Sequence, residues 1–298
     1  LTRNLEGEHL SELVALRDAG CVAFTQGLNP MGSNRILRRA LEYAATFDVP
    51  IIFTPLDPSL AEGGMAHEGP TASRLGLIGI PESAETVALA RDLLLIEQTG
   101  VRAHFSGLTS ARAVDMLATA QARGLPVTAD VAAYQLLLCD EDLNGFSSLL
   151  HVMPPLRSAA DRRALREAVQ SGIVQAIASH HRPHEPEVKR VPFAASAPGI
   201  SSVEILLPLA LTLVADGLLE LPALLSRLTT GPAAALNLQA GQLTLGGAAD
   251  LTLFDPAKAC EIGRNWLSRG ANCPFIGQGA PAAVTHTLCN GKLVYQAN

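Results

Sequence analysis

The stretch VRAHFSGLTSARAVDMLATAQARGLPVTAD, residues 101–130, contains one complete strand–helix–strand unit. The short apolar runs near its two ends, 102–106 and 127–131, predict buried parallel strands. The segment between them has helical periodicity, with Ser110 at its start as an N-cap and Gly124 followed by Pro126 at its end. The stretch therefore predicts two parallel strands that are connected by a helix.

The same alternation runs through most of the chain. It predicts further strands at 21–25, 50–54 and 174–179, and further helices at 7–19, 33–47, 83–99 and 159–171. These segments make five β/α units, whereas a closed (β/α)8 barrel has eight. The pattern alone leaves two alternatives, an open parallel sheet or a barrel whose first strands are missing from this chain.

The C-terminal part has a different pattern. GQLTLGGAADLTLFD (241–255) alternates as a pair of strands would, and Asn290–Gly291 lies between two strand-like runs, which is a strong signal for a type I′ hairpin. We therefore predict an incomplete β/α region over 1–237 and a small β domain over 238–298.

Composition excludes several classes of protein. The 298 residues are 48% hydrophobic and 17% charged, which predicts a substantial core, and the net charge of −6 argues against nucleic acid or an anionic membrane as the main partner. Five scattered cysteines without a Cys-x-x-Cys pair argue against disulfides and structural zinc, so we expect a cytoplasmic location. The N-terminal LTRNLEGEHL lacks an initiator Met and a signal-peptide apolar region, and we expect it to lie inside a domain.

Histidines follow two of the predicted strands. IASHHRPHE (177–185) places His180, His181 and His184 after one strand, and His104 ends another. Either set could bind a metal or could simply be satisfied by hydrogen bonds, because histidines without a partner carboxylate make a weak metal motif. Asp130 has no histidine near it along the chain, so we predict that it forms a cap or a buried hydrogen bond.

Several motifs occur in an order that resembles one enzyme family. They are GGMAHEGPTASRLGLIGIPESAE (63–85), HVMPPLR (151–157), PGISSVEILLPLAL (198–211), LTTGPAAALNL (228–238), GGAADLTLFDP (246–256) and NCPFIGQGAPAAVTHTLCNGKLVY (272–295). Together they resemble dihydroorotases of the amidohydrolase superfamily, close to allantoinases and hydantoinases. The resemblance implies a (β/α)8 barrel with a small β domain. Such enzymes carry an H-x-H metal motif on the first strand, and because this chain has none, we expect an N-terminal portion to be absent.

The resemblance also assigns roles to individual positions. His104 matches a metal-ligand histidine, whereas Tyr134 stands where the family has a site histidine. Met153 replaces an asparagine that holds substrate, and His180 replaces the aspartate that contacts metal and acts as general base. His184 lies in the same motif as His180. We therefore expect these five positions to be vestigial, with no catalytic residue, no metal and no cofactor.

The resemblance is greatest to a non-catalytic dihydroorotase-like chain that some bacteria pair with aspartate transcarbamoylase in pyrimidine biosynthesis. It implies a pseudoenzyme that forms a homo-oligomer within a hetero-complex and binds neither nucleic acid nor membrane. The alternative is an active zinc-dependent cyclic amidohydrolase of the dihydroorotase, hydantoinase or allantoinase type, with a rearranged site that uses His104, His180 and His184.

Overall fold

Five short parallel strands form the central sheet of the computed structural model, which describes residues 1–263 and 266–297. In chain order the strands of the protein are β1 (Phe24–Thr25), β2 (Ile51–Phe53), β3 (Ala66–His67), β4 (Gly79–Ile80), β5 (Ala103–Phe105), β6 (Val127–Ala132), β7 (Ala176–Ala178), β8 (Leu251–Asp255), β9 (Cys260–Glu261), β10 (Gly279–Ala280), β11 (Ala283–Cys289) and β12 (Lys292–Gln296). The order of strands across the central sheet is β1-β2-β5-β6-β7.

Helices connect the strands of the central sheet and continue after it. They are α1 (Leu13–Asp18), α2 (Asn34–Thr46), α3 (Pro58–Ala61), α4 (Pro70–Leu75), α5 (Ser83–Thr99), α6 (Ala111–Ala122), α7 (Ala159–Ser171), α8 (Leu206–Ala215), α9 (Leu221–Leu228) and α10 (Thr230–Ala235). No helix of the described residues has the length and apolar character needed to cross a membrane.

The strand–helix–strand unit predicted over 101–130 is confirmed. Strands β5 and β6 are parallel neighbours, and α6 lies between them in the chain. The helix begins after Ser110, whose hydroxyl accepts a hydrogen bond from the Ala113 N–H at 3.2 Å. Apolar side chains pack across neighbouring strands of the sheet, and Phe53 of β2 stacks on Phe105 of β5 with 5.6 Å between ring centroids.

The predicted helix over 7–19 is wrong in its first half, because helix α1 begins only at Leu13. Gly7 has a φ of +81° and its carbonyl accepts a hydrogen bond from the Gly32 N–H at 2.9 Å. A β-carbon at residue 7 would approach the Pro30 carbonyl oxygen to 2.4 Å. The close contact between these two loops therefore replaces the first helical turn.

The C-terminal strands form a three-stranded antiparallel sheet in the order β12-β11-β8. The hairpin predicted at Asn290–Gly291 is confirmed, with positive φ at both turn residues. The predicted strand pair over 241–255 is wrong in its first half, since only β8 is a strand and it pairs with β11. Leu243 is exposed and belongs to no described strand. The division between 237 and 238 stays a prediction.

Candidate functional site

The register between β5 and β6 brings three polar side chains to one face of the sheet. His104 lies opposite Thr128, and its Nδ1 is 2.8 Å from the Thr128 hydroxyl. Successive side chains of a strand alternate between faces, so Asp130, two residues after Thr128, lies on the same face. His104 Nε2 is therefore within hydrogen-bond distance of Asp130 Oδ2, at 3.0 Å.

Asp130 is the centre of this cluster. Its Oδ1 accepts a hydrogen bond from the Gly107 backbone N–H at 2.9 Å and lies 2.7 Å from Nε2 of His180. The predicted buried hydrogen bond of Asp130 is confirmed. Asp130 has no histidine near it along the chain, but the register and the loop after β7 bring two histidines that are distant in sequence into contact with it.

His180 reaches Asp130 through unusual backbone geometry. It has a φ of +46°, a region that residues other than glycine seldom adopt. Gly107, with a φ of +76°, leaves room for its ring, because a β-carbon there would lie 2.8 Å from His180 Cε1. The missing side chain at residue 107 therefore allows the histidine to occupy the site.

Burial and hydrogen bonding shift the pKa values of Asp130 and His180 in opposite directions. Burial alone would raise the pKa of Asp130, but the hydrogen bonds and charges of the His104 and His180 rings hold it well below its usual range. Burial alone would lower the pKa of His180, but Asp130 raises it above its ordinary value. The pair of Asp130 and His180 is thus stabilised as carboxylate and imidazolium.

A pocket of about 260 Å³ opens beside the cluster at the carboxyl ends of the strands. It brings together three of the expected site positions, Tyr134, Met153 and His180. The buried His104 is not part of the pocket lining and contacts Asp130. The pocket is lined by Leu28, Thr54, Ser106, Tyr134, Met153, Pro154, His180, His181, Arg182 and Gly199.

His184 does not join this group. Its Nε2 lies 3.0 Å from the Pro198 carbonyl oxygen, and its backbone N–H donates to Asn272 Oδ1 at 2.8 Å. The structure therefore does not bring together the three histidines of the alternative interpretation, because Nε2 of His184 is hydrogen-bonded to a loop carbonyl. That ligand set stays a prediction.

The residues described here do not fit the zinc ion that the family resemblance implies. Within 1–263 and 266–297, no three side chains of His, Cys, Asp or Glu are arranged to hold a metal ion. The Nε2 atoms of His104 and His180, which would have to bind such an ion, are both hydrogen-bonded to Asp130. The cluster satisfies its own donors and acceptors.

Substituting Asp130 by Asn should destabilise the protein by about 2 kcal/mol or more, because it removes the charge that two histidines share in a buried site. The matched control is Asp115→Asn, the same change at an exposed position of α6, where we expect a change within about 0.5 kcal/mol. Denaturant unfolding measures both. Equal stabilities for the two variants would contradict the central role of Asp130.

The raised pKa of His180 predicts a pH-dependent stability. The folded protein binds the His180 proton more tightly than the unfolded chain does. The stabilisation that this proton provides is therefore fully present below about pH 6.5, and it is lost as the pH rises through the raised pKa of His180. From about pH 6 to about pH 8 the wild-type protein should therefore lose more stability than His180→Gln. Urea unfolding at both pH values tests this, and parallel pH profiles would refute it.

Comparisons with known proteins agree with this fold. A family model described as "Amidohydrolase family" matches residues 71–294, and one described as "Dihydro-orotase-like" matches residues 1–113. L-hydantoinase from Arthrobacter aurescens has a similar structure, with a TM-score of 0.84 and 23% sequence identity over 96% of this chain and 67% of its own. At that identity the likeness shows the fold alone, which is that of the amidohydrolase (β/α) barrels.

Relatives with higher sequence identity identify a smaller group within this family. A protein named dihydroorotase-like protein from Pseudomonas aeruginosa is 67% identical over 99% of this chain and 70% of its own length, and one of the same name from Pseudomonas putida is 64% identical over the same shares. A protein named dihydroorotase from Syntrophus aciditrophicus is 42% identical, again over 99% of this chain and 70% of its own length. The chain therefore belongs to the amidohydrolase family and, within it, to the dihydroorotase-like proteins.

Proposed function

We propose that this chain is a non-catalytic dihydroorotase-like protein. The observation that carries the proposal is the position of Asp130, which holds the Nε2 atoms of both His104 and His180 at 3.0 and 2.7 Å. A hydrolytic metal site requires free ligand atoms around an open position and a group that accepts a proton from bound water. In this cluster the Nε2 atoms of His104 and His180 are both hydrogen-bonded to the Asp130 carboxylate.

The acid–base properties of the cluster support the same conclusion. A general base works best when its pKa lies near the operating pH. The pKa of Asp130 is well below its usual range, and the carboxylate already accepts hydrogen bonds from two histidines and from the Gly107 N–H. Both properties make it a weak proton acceptor. His180, which donates to it, stands where the family resemblance expects an aspartate.

The pocket lacks a further group that the family resemblance requires. Met153 lines it at the position where an asparagine would hold substrate. A thioether is only a weak hydrogen-bond acceptor and donates nothing, so it cannot replace the two donors and the acceptor of an amide. Changes at residues 153 and 180 therefore affect substrate binding and proton transfer separately.

We further propose that the protein is a cytoplasmic, structural subunit that forms a homo-oligomer and supports aspartate transcarbamoylase in pyrimidine biosynthesis, without a cofactor of its own. This part of the proposal rests on the motifs shared with the non-catalytic chain of that complex. It is consistent with the Pseudomonas relatives, whose names say dihydroorotase-like.

A zinc-dependent cyclic amidohydrolase is the competing function. It is favoured by the Syntrophus relative, which is named dihydroorotase and is 42% identical. It would require segments of the whole protein, or a rearrangement of the cluster, to free His104 and His180 from Asp130.

Turnover and metal content decide between the two functions. We expect the full-length protein, supplied with zinc and dihydroorotate, to show no hydrolysis above that of its own His104→Ala variant, and metal analysis to find less than one zinc per chain. Hydrolysis that the His104→Ala change abolishes, together with stoichiometric zinc, would overturn the non-catalytic proposal.

The structural role has a separate test. Co-expressed with the catalytic chain of aspartate transcarbamoylase, the protein should co-elute with it in size-exclusion chromatography and raise its thermal unfolding temperature. If the two chains elute separately and neither stabilises the other, the partner assignment fails, while the non-catalytic proposal is unaffected.

A further inference from the structure

The outer face of helix α2 is positively charged, although the chain as a whole has a net charge of −6. The helix buries a face of Leu and Ala side chains and exposes three arginines, Arg35, Arg38 and Arg39. Arg38 forms an ion pair with Glu42 at 2.8 Å. Arg35 and Arg39 form none within the described part of the chain, so two positive charges on this face are unpaired.

The two unpaired charges do not stabilise the helix that carries them. The N-terminal end of a helix has a partial positive charge and favours acidic side chains. Helix α2 has no acidic residue in its first turn, and Arg35 lies there. Arg35 and Arg39 are four residues apart, so they are neighbours on the helix surface, and like charges at this spacing repel each other. Helix stability therefore does not explain either arginine.

Two aromatic side chains continue the row that the arginines begin. Tyr43 and Phe47 follow Arg39 at intervals of four residues, so all four side chains lie along one row, which we call the α2 ridge (Arg35, Arg39, Tyr43 and Phe47). The rings of Tyr43 and Phe47 pack edge to face with 5.3 Å between centroids, and Phe47 is 37% exposed. The ridge is thus positively charged in its first half and aromatic in its second half.

The acidic residues next to the ridge in the chain already have arginine partners. They form the pairs Asp18–Arg17, Glu42–Arg38 and Asp48–Arg102, with nitrogen–oxygen distances of 2.8, 2.8 and 2.9 Å. The guanidinium of Arg17 also lies 5.7 Å from the centroid of the Phe47 ring, which adds positive charge beside the aromatic half. Arg35 and Arg39 are therefore available to carboxylates that come from another molecule.

We propose that the α2 ridge is a docking surface for an acidic segment of a partner protein. Carboxylates of the segment pair with Arg35 and Arg39, because a guanidinium fork matches the two oxygens of a carboxylate. An apolar side chain of the segment packs on Tyr43 and Phe47. A nucleic acid fits less well, because its binding requires many basic contacts and the chain is acidic overall. The inference goes beyond the proposed function, since it concerns neither the pocket nor the Asp130 cluster.

Fluorescence anisotropy with a labelled peptide tests the proposal on the full-length protein. The probe is a peptide of about twelve residues in which glutamates flank a phenylalanine, and the control peptide has glutamine in place of every glutamate. We expect the acidic peptide to bind at least about tenfold more tightly than the control peptide. Its affinity should fall as the salt concentration rises, because exposed ion pairs are screened.

A charge-reversed variant locates the binding surface. Arg35→Glu combined with Arg39→Glu should weaken binding of the acidic peptide at least about tenfold. The matched control combines Arg112→Glu with Arg163→Glu, which changes the net charge by the same amount at exposed positions of α6 and α7. This control should bind the peptide as the wild type does.

A neutral variant separates docking from a structural role. Arg35→Gln combined with Arg39→Gln removes the repulsion without adding a charge, so the protein should unfold at the wild-type temperature or above it. It should nevertheless bind the acidic peptide several-fold more weakly. If the charge-reversed variant does not fold, this variant decides the question.

Four outcomes would overturn the proposal. The first two are equal affinity for the acidic and glutamine peptides, and equal affinity of the wild type and the folded α2 variants for the acidic peptide. The third is tighter binding of a single-stranded oligonucleotide of the same charge than of the peptide. The fourth is an oligomer of this chain that dissociates in the α2 variants but not in the control, because the surface then binds a second copy.

Discussion

The carboxylate of Asp130 connects three parts of the barrel that are far apart in the chain. It belongs to β6, and it contacts His104 on β5, the Gly107 N–H in the loop that follows β5, and His180 in the loop after β7. Two parallel strands are thus joined at their carboxyl ends to the loop that follows β7. The shape of the neighbouring pocket depends on this junction, because it determines where His180 and the residues after it lie.

A buried charged cluster of this kind is weak evidence for overall stability, because taking charges out of water costs several kcal/mol for each ion before the pairing recovers it. Its effect is better understood as one of geometry. With both histidines engaged, the loop after β7 has one defined position, and His181 and Arg182 are presented to the pocket. The hydrogen bonds that engage His104 and His180 therefore also help to position the residues that line the pocket.

Much of the fold was predictable because it follows from local patterns. Helices α5 and α7 begin and end as predicted, and the hairpin at Asn290–Gly291 follows from two residues that tolerate positive φ. The errors have non-local causes. The contact of Gly7 with the loop at Gly32 suppresses a helical turn that the sequence pattern favours. The segment around Leu243 has the alternation of a strand but pairs with no neighbour among the described residues.

The site was predictable only in part, for the same reason. His104 and His180 could be identified from the motifs, but the partner of both, Asp130, could not be recognised from its neighbours in the chain. Recognising Asp130 as the partner requires knowledge of the strand register, in which His104 pairs with Thr128 and residue 130 lies within hydrogen-bond distance of His104. For His184 the sequence suggested a contact that the fold does not make. It is close to His180 in the chain, but its ring is hydrogen-bonded to the Pro198 carbonyl oxygen.

The hydrogen bonds that Asp130 accepts from two histidines also have a consequence for substitutions at these positions. An aspartate at residue 180 would put a second carboxylate in place of the ring that now pairs with Asp130, and like charges in one buried site raise the pKa of one of the two groups. A change of residue 180 alone is therefore less favourable than a change of residues 130 and 180 together. The effect of a substitution at one of these positions depends on the residue at the other, which is electrostatic epistasis.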